Sequence, residues 1–140
     1  MASLTNDGEK LVLNALFRNT GSLPANIYLG LATNARGSLN ETVQLSDLTE
    51  VDDAGYERKE VIFTAPVESN DAFQIENNAQ IEFGPWAEDE DTGIVYAFLT
   101  DSQTGTSGIV IGLYEFTSAK TPLAGEAQIV TQGSCKFSIS

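Results

Sequence analysis

The stretch Ile27-Tyr28-Leu29-Gly30-Leu31-Ala32 alternates large aliphatic side chains at 27, 29 and 31 with Tyr28, Gly30 and Ala32. A period of two marks a strand, and the small residues at 30 and 32 allow a neighbour to pack close against one side of it. The stretch therefore reads as the central strand of the fold. Immediately upstream, Pro24 biases Leu23 towards an extended shape, and Gly21 suits the left-handed residue that ends a helix. Before them, Leu11, Val12, Ala15 and Leu16 recur at three-residue and four-residue spacings, Glu9 sits in the first turn, and Asn6 or Asp7 is available as a cap. This pattern predicts one short helix over 7–18. Residues 1–6 have Leu4 as their main apolar anchor and are expected to form a flexible arm, leaving 7–140 as a single domain.

Downstream of the central strand, 33–57 breaks the alternation with Asn34, Gly37, Ser38, Asn40, Ser46, Asp52, Asp53 and Gly55. Val43, Leu45, Leu48 and Val51 within it point back to the core, so a long, partly anchored loop is expected. Strand patterns then follow over 59–64, 73–76, 79–83, 93–100, 108–117 and 127–139, the last interrupted at Gly133, with Asn77-Asn78 as a hairpin turn. No second helical pattern supplies crossovers, so the strands should pair mostly antiparallel. The expected fold is mainly β, an antiparallel β-sandwich of jelly-roll or immunoglobulin-like kind with one short N-terminal helix.

The 140 residues fit one domain, and 41% hydrophobic against 19% charged residues is too apolar for disorder. No apolar run is long enough to span a membrane, and the first twenty residues lack the features of a signal peptide, so the cytoplasm of the producing cell is the expected site of synthesis. The formal net charge is −13, and without histidine it barely changes near neutrality. Seven scattered cations on so acidic a chain argue against a nucleic-acid partner and against an anionic membrane surface.

The residue inventory also excludes chemistries. A chain without histidine has no histidine base for a serine or cysteine nucleophile, and one cysteine, Cys135, rules out an internal disulfide and a cysteine-rich zinc site. Gly105, Gly108 and Gly112 lie between strands with no helix to follow, and read as turn and bulge residues rather than a phosphate loop. Two carboxylates could hydrolyse a glycoside, but an acidic surface accounts for the twenty acids without catalysis. Glu88-Asp89-Glu90-Asp91, with Asp52-Asp53, could supply oxygen ligands to calcium but lacks the spacing of an EF-hand, and four adjacent carboxylates read first as a solvated loop tip. Trp86, after Gly84-Pro85, is read as core or edge packing, with a sugar-stacking platform as the other option. Cys135 is read as an inert small hydrophobe, and Arg58 as one half of a structural clamp with a carboxylate such as Glu50. No enzyme activity is expected, and no residue is assigned as catalytic, cofactor-binding or metal-ligating.

Several segments occur together in a characteristic order. They are Leu16-Phe17-Arg18, Ile27-Tyr28-Leu29-Gly30-Leu31-Ala32-Thr33, Glu50-Val51, Gly55-Tyr56-Glu57-Arg58 and Val61-Ile62-Phe63 in the first half. Ile81-Glu82-Phe83, Gly93-Ile94-Val95-Tyr96, Phe98 before Asp101, a small-residue turn ending at Gly108, and Lys120-Thr121-Pro122 before Gly125 continue it. Over 10–139 this succession resembles a family of small virion structural proteins of tailed bacteriophages. Glu88 to Asp91 and the stretched turn from Asp101 to Gly108 depart from that pattern and read as private interaction loops.

The resemblance implies a non-enzymatic virion protein, made in the host bacterial cytoplasm. A capsid decoration or cement subunit that binds the major capsid protein and stabilises the head is the first expectation. A tail or tail-fibre component is the second, with other virion proteins as partners. Homo-oligomers are the normal case in symmetric particles, a trimer being one option. A carbohydrate-binding module is a third reading, and requires Trp86 or Tyr56 on an exposed flat face.

Overall fold

A computed structural model describes residues 3–139 of the chain. It opens with strand β1 (Ser3–Leu4) and helix α1 (Asn6–Phe17), followed by β2 (Tyr28–Ala32). Short strands β3 (Lys59–Glu60), β4 (Val67–Ser69), β5 (Ala72–Glu76) and β6 (Ile81–Phe83) lead to the two long ones, β7 (Ile94–Thr100) and β8 (Val110–Lys120). Strands β9 (Gln128–Val130) and β10 (Lys136–Ile139) close the chain.

Among the described residues every strand pair is antiparallel. The main sheet has the order β1-β8-β7-β2-β3, and two smaller sheets have the orders β10-β5-β4 and β6-β9. The fold is thus mainly β with one helix near the N-terminus, as the sequence pattern indicates.

The alternation in β2 sorts its side chains onto two faces. Leu29 and Leu31 face one core cluster with Ile94, Ala97 and Leu99, against which Ile81 and Phe83 of β6, Val130 of β9 and Phe137 of β10 pack. The two smaller sheets therefore form the second layer of the sandwich on this face. Ala32 belongs to the other cluster, with Val95, Tyr96, Phe98 and Val110, and here the cover is the long loop, through Val43 and Leu45. The loop is anchored as expected: Asn34 Nδ2 donates to the Asp47 carbonyl at 2.9 Å, and Asn34 Oδ1 accepts from the Thr49 N–H at 2.7 Å. Burying Val43, Leu45 and Val51 stabilises it by about 1.5–3 kcal/mol each.

Gly30 stands directly opposite Phe98 across the β2–β7 ladder, and a Cβ at Gly30 would lie 2.2 Å from the Phe98 ring. The missing side chain is what lets that ring lie flat across the strand. Gly112 plays the same part on the other face, where a Cβ would lie 2.6 Å from the Phe137 ring.

Four expectations are corrected. Ser3 and Leu4, assigned to a free arm, pair with Leu113 and Gly112 of β8, and Leu4 packs on the core. Thr5 is buried and caps the helix, its Oγ1 accepting from the Gly8 N–H at 3.1 Å, so the cap is one residue upstream of Asn6. Met1 and Ala2 of the expected arm, and Ser140 of the expected domain, lie outside the described residues. Asn77-Asn78 is no hairpin turn: Asn77 is buried, its amide donating to the carbonyls of Ala79 and Thr131 and accepting from the Cys135 N–H. The tight hairpin joins β4 to β5 through Asn70 and Asp71, both with positive φ (53° and 61°), the geometry of a two-residue primed turn. The strand expected over 127–139 is two strands in different sheets, which separate at the left-handed Gly133.

Leu31 is completely buried at the centre of the main sheet. Truncation in Leu31→Ala should cost about 2–5 kcal/mol in urea unfolding. A loss below about 1 kcal/mol would contradict its place in the core.

Candidate interaction site

The loops at the surface are held from within by Arg58, whose guanidinium is buried beside Phe98, with Cζ 5.5 Å from the ring centroid. Its Nε donates to Glu50 Oε2 at 2.7 Å and its Nη2 to Glu50 Oε1 at 3.1 Å, a bidentate pair. Nη1 donates to the Ser102 carbonyl at 2.8 Å and Nη2 to the Gly105 carbonyl at 2.9 Å. Tyr56 completes the cluster: its hydroxyl donates to Glu50 Oε2 and accepts from the Leu31 N–H, both at 2.9 Å, while its ring stacks on Phe83. Burial first, then the charge of Glu50, pushes the Tyr56 hydroxyl well above its ordinary range, so it stays protonated and able to donate. The expected Glu50–Arg58 clamp is therefore present, and it also fixes the base of the 101–108 turn.

Three side chains of the acidic segments, Asp53, Asp89 and Glu90, serve the backbone. Asp53 Oδ1 accepts from the N–H groups of Gly55 (2.7 Å) and Ala87 (2.9 Å), and Oδ2 from that of Glu88 (3.0 Å). The Ala87 bond leads in holding the Asp53 carboxyl below the usual carboxylate range, opposed by partial loss of hydration and reinforced by the bonds from Gly55 and Glu88. Asp89 Oδ1 accepts from the Ala124 N–H at 2.8 Å, and Glu90 Oε1 from those of Thr92 and Gly93 at 3.1 and 3.2 Å. Among the described residues no three histidine, cysteine or acidic side chains are grouped to hold a metal ion.

Trp86 is buried in the core cluster, and Tyr56 is half-buried with its hydroxyl committed. Neither forms the exposed aromatic platform that the carbohydrate-binding reading needs. Cys135 is half-buried and desolvation pushes its thiol up to about 11, so the nucleophilic thiolate is suppressed near neutrality.

Two features face outward. A groove of about 580 Å³ opens between β8 and the β9 and β10 segments, with Leu99, Phe116, Val130 and Phe137 among its lining residues. Lys120 and Lys136 also line it, in a chain with only seven basic side chains. Lys120 Nζ lies 5.8 Å from the Phe116 ring centroid, and Lys136 reaches Glu76 Oε2 at 3.9 Å. The second feature is a ridge on α1: Leu13, Leu16 and Phe17 are 56%, 70% and 75% exposed, at the i, i+3, i+4 spacing of one helix face, with exposed Leu23 following. Isolated surface leucines need no explanation, but a contiguous apolar ridge marks a contact surface.

The sequence model of the family Gp80, described as podophage GP4 fiber I protein gp80, matches residues 3–138. The chain belongs to this family. Its members are virion structural proteins of tailed phages, and the resemblance read from strand order and turn glycines is thus confirmed at family level. A comparison with curated proteins finds no match.

Neither the groove nor the ridge was identified from sequence in this family member. The signal for the ridge was available, because Leu11, Val12, Leu13, Ala15, Leu16 and Phe17 give the helix apolar residues on more than one side, wider than a single core contact requires. The groove had no such signal, since β8, β9 and β10 meet only through the tertiary fold.

Removing one partner of the clamp leaves the other without its bidentate bonds in a largely dry site. Arg58→Ala should cost about 3–5 kcal/mol in chemical denaturation. Arg58→Lys should recover only part of that, because an ammonium cannot reproduce the planar fork. A cost within the range of a surface ion pair, about 0–1 kcal/mol, would show that the clamp is not a structural element.

Proposed function

We propose that this protein is a non-enzymatic structural subunit of a podophage tail-fibre apparatus. The observation that carries the reading is the family match over 3–138, whose description names a fibre protein. The sequence resemblance had put capsid decoration first and a tail-fibre component second, and family membership favours the second. No specific observation favours head decoration or glycan binding over it.

The structure supports a subunit that works by shape. Asp53, Asp89 and Glu90 accept backbone N–H groups, and Glu50 is locked to Arg58 and Tyr56. These are structural uses of carboxylates rather than an acid and base facing a cleft. The apolar ridge and the groove then supply surfaces through which neighbouring virion proteins are bound. Among the described residues no helix is long and apolar enough to cross a membrane.

Quantitative mass spectrometry of purified virions tests this reading. A fibre subunit should be present at a small fraction of the copy number of the major shell protein. Near-stoichiometric abundance with the shell protein would overturn the fibre reading in favour of decoration, and absence from the particle would overturn it outright.

A further inference from the structure

The outer edge of β8 is closed in steps and then left open. The Thr5 N–H donates to the Ile111 carbonyl at 3.0 Å, Leu4 pairs with Gly112, and Ser3 pairs with Leu113. From Tyr114 onward no strand among the described residues pairs on that side, although β8 runs on to Lys120. Its other edge still pairs Tyr114 with Ala97 and Glu115 with Tyr96. An unpaired edge presents a row of backbone N–H and C=O groups to any chain that can lie beside it.

A trough of about 680 Å³ lies along this edge, lined by Tyr114, Glu115 and Thr117 of β8 and by Asn40, Glu41 and Thr42 of the long loop. Ser3 and Leu4 also line it, so it adjoins the point where the β1 pairing stops. Residues 114–117 span about 13 Å of extended chain. Beyond Glu115 the ladder to β7 is irregular, since Ile94 pairs with Lys120 and Tyr96 with Glu115. A bulge of this kind bends a strand and ends pairing, so the edge accepts a short strand and is no template for a growing sheet.

Side chains narrow the partner further. The trough has two carboxylates in its lining, Glu41 and Glu115, and no lysine or arginine. Glu115 is paired with Arg36 at 2.8 Å, whereas Glu41 makes no ion pair among the described residues. On the other face of β8, the rings of Tyr114 and Phe116 meet edge to face at 5.4 Å. A strand laid along this edge therefore sets apolar residues beside the two rings and basic residues beside the carboxylates. Charge disfavours a second copy of this chain, at −13, as the donor.

We propose that the 114–117 edge of β8 is a docking site for a short strand of another virion protein, one in which apolar and basic residues alternate, added in line with β1. The proposal goes beyond the fibre reading and rests on it only for the partner being a virion protein. Binding of a defined peptide by the purified chain is independent of where the chain sits in the particle, so either can fail without the other.

The test is hydrogen–deuterium exchange of the full chain, read by mass spectrometry, with a capped peptide of about eight residues alternating valine and lysine as the probe. Without peptide, the amides over 114–117 should exchange faster than those of β7, which is paired on both sides. With peptide in excess, exchange over 114–117 should slow by about tenfold or more. The same peptide N-methylated throughout should give no protection, because it cannot complete the ladder. A peptide alternating valine and glutamate should bind about tenfold more weakly or worse. Glu41 is exposed, so Glu41→Lys should leave the thermal melt unchanged while weakening the lysine peptide and narrowing its advantage over the glutamate peptide. Slow exchange over 114–117 before any peptide is added, equal protection by the N-methylated peptide, equal binding of the two charge patterns, or protection spread evenly over the acidic surface would each overturn the proposal.

Discussion

Arg58 sits where the sheet, the long loop and the 101–108 turn converge: its donors reach the loop and the turn, and its guanidinium lies over Phe98 of the sheet. Glu50 belongs to the loop segment that runs along the outer edge of β2, where Ala32 bridges Glu50 and the Val51 N–H donates to the Leu31 carbonyl at 3.1 Å. Ser102 and Gly105 belong to the connection between β7 and β8. A buried guanidinium is tolerable only if its charge and its N–H groups are all met, so the site dictates a carboxylate at 50 and two carbonyls at 102 and 105. Phe98 provides the floor, and can do so because Gly30 opposite it has no side chain. One polar cluster thus fixes two connections that have little regular structure of their own.

Much of this was legible in the sequence because the signals are local. The period of two in β2 and the run from Ile94 to Thr100 identified the central strands, and the glycine and tyrosine before Arg58 indicated a turn followed by a clamp. Other features depended on tertiary context. Ser3 and Leu4 look unstructured by composition, but β8 offers an unpaired edge at Leu113 and Gly112 that captures them. Asn77 looks like a turn residue because asparagine favours turns, yet the carbonyls of Ala79 and Thr131 and the N–H of Cys135 need a buried amide there. The hairpin at Asn70-Asp71 carries no such sequence signal, because β4 lies on the surface with Val67 and Glu68 both exposed and so lacks the alternation of a half-buried strand.

The candidate surface was the least legible part. A strand pattern tells which side chains are buried, not which gaps remain when two layers fail to meet along one margin. Between β8 and the β9 and β10 segments such a gap persists, partly because residues 116–119 bow away from β7: Tyr96 pairs with Glu115, while Ile94 pairs with Lys120. An acidic molecule with a small, apolar, lysine-flanked groove is suited to selective contact with protein neighbours. Among the acidic side chains of its loops, Asp53, Asp89 and Glu90 accept backbone N–H groups and fasten those loops.

The central claim is that this fold is a component of a podophage fibre. Cryo-electron microscopy of the intact virion tests it most directly, since an antiparallel sandwich with one short helix has a recognisable outline. The account predicts density matching this fold within the tail fibres. Density matching it on the lattice of the head, with none in the fibres, would contradict the account.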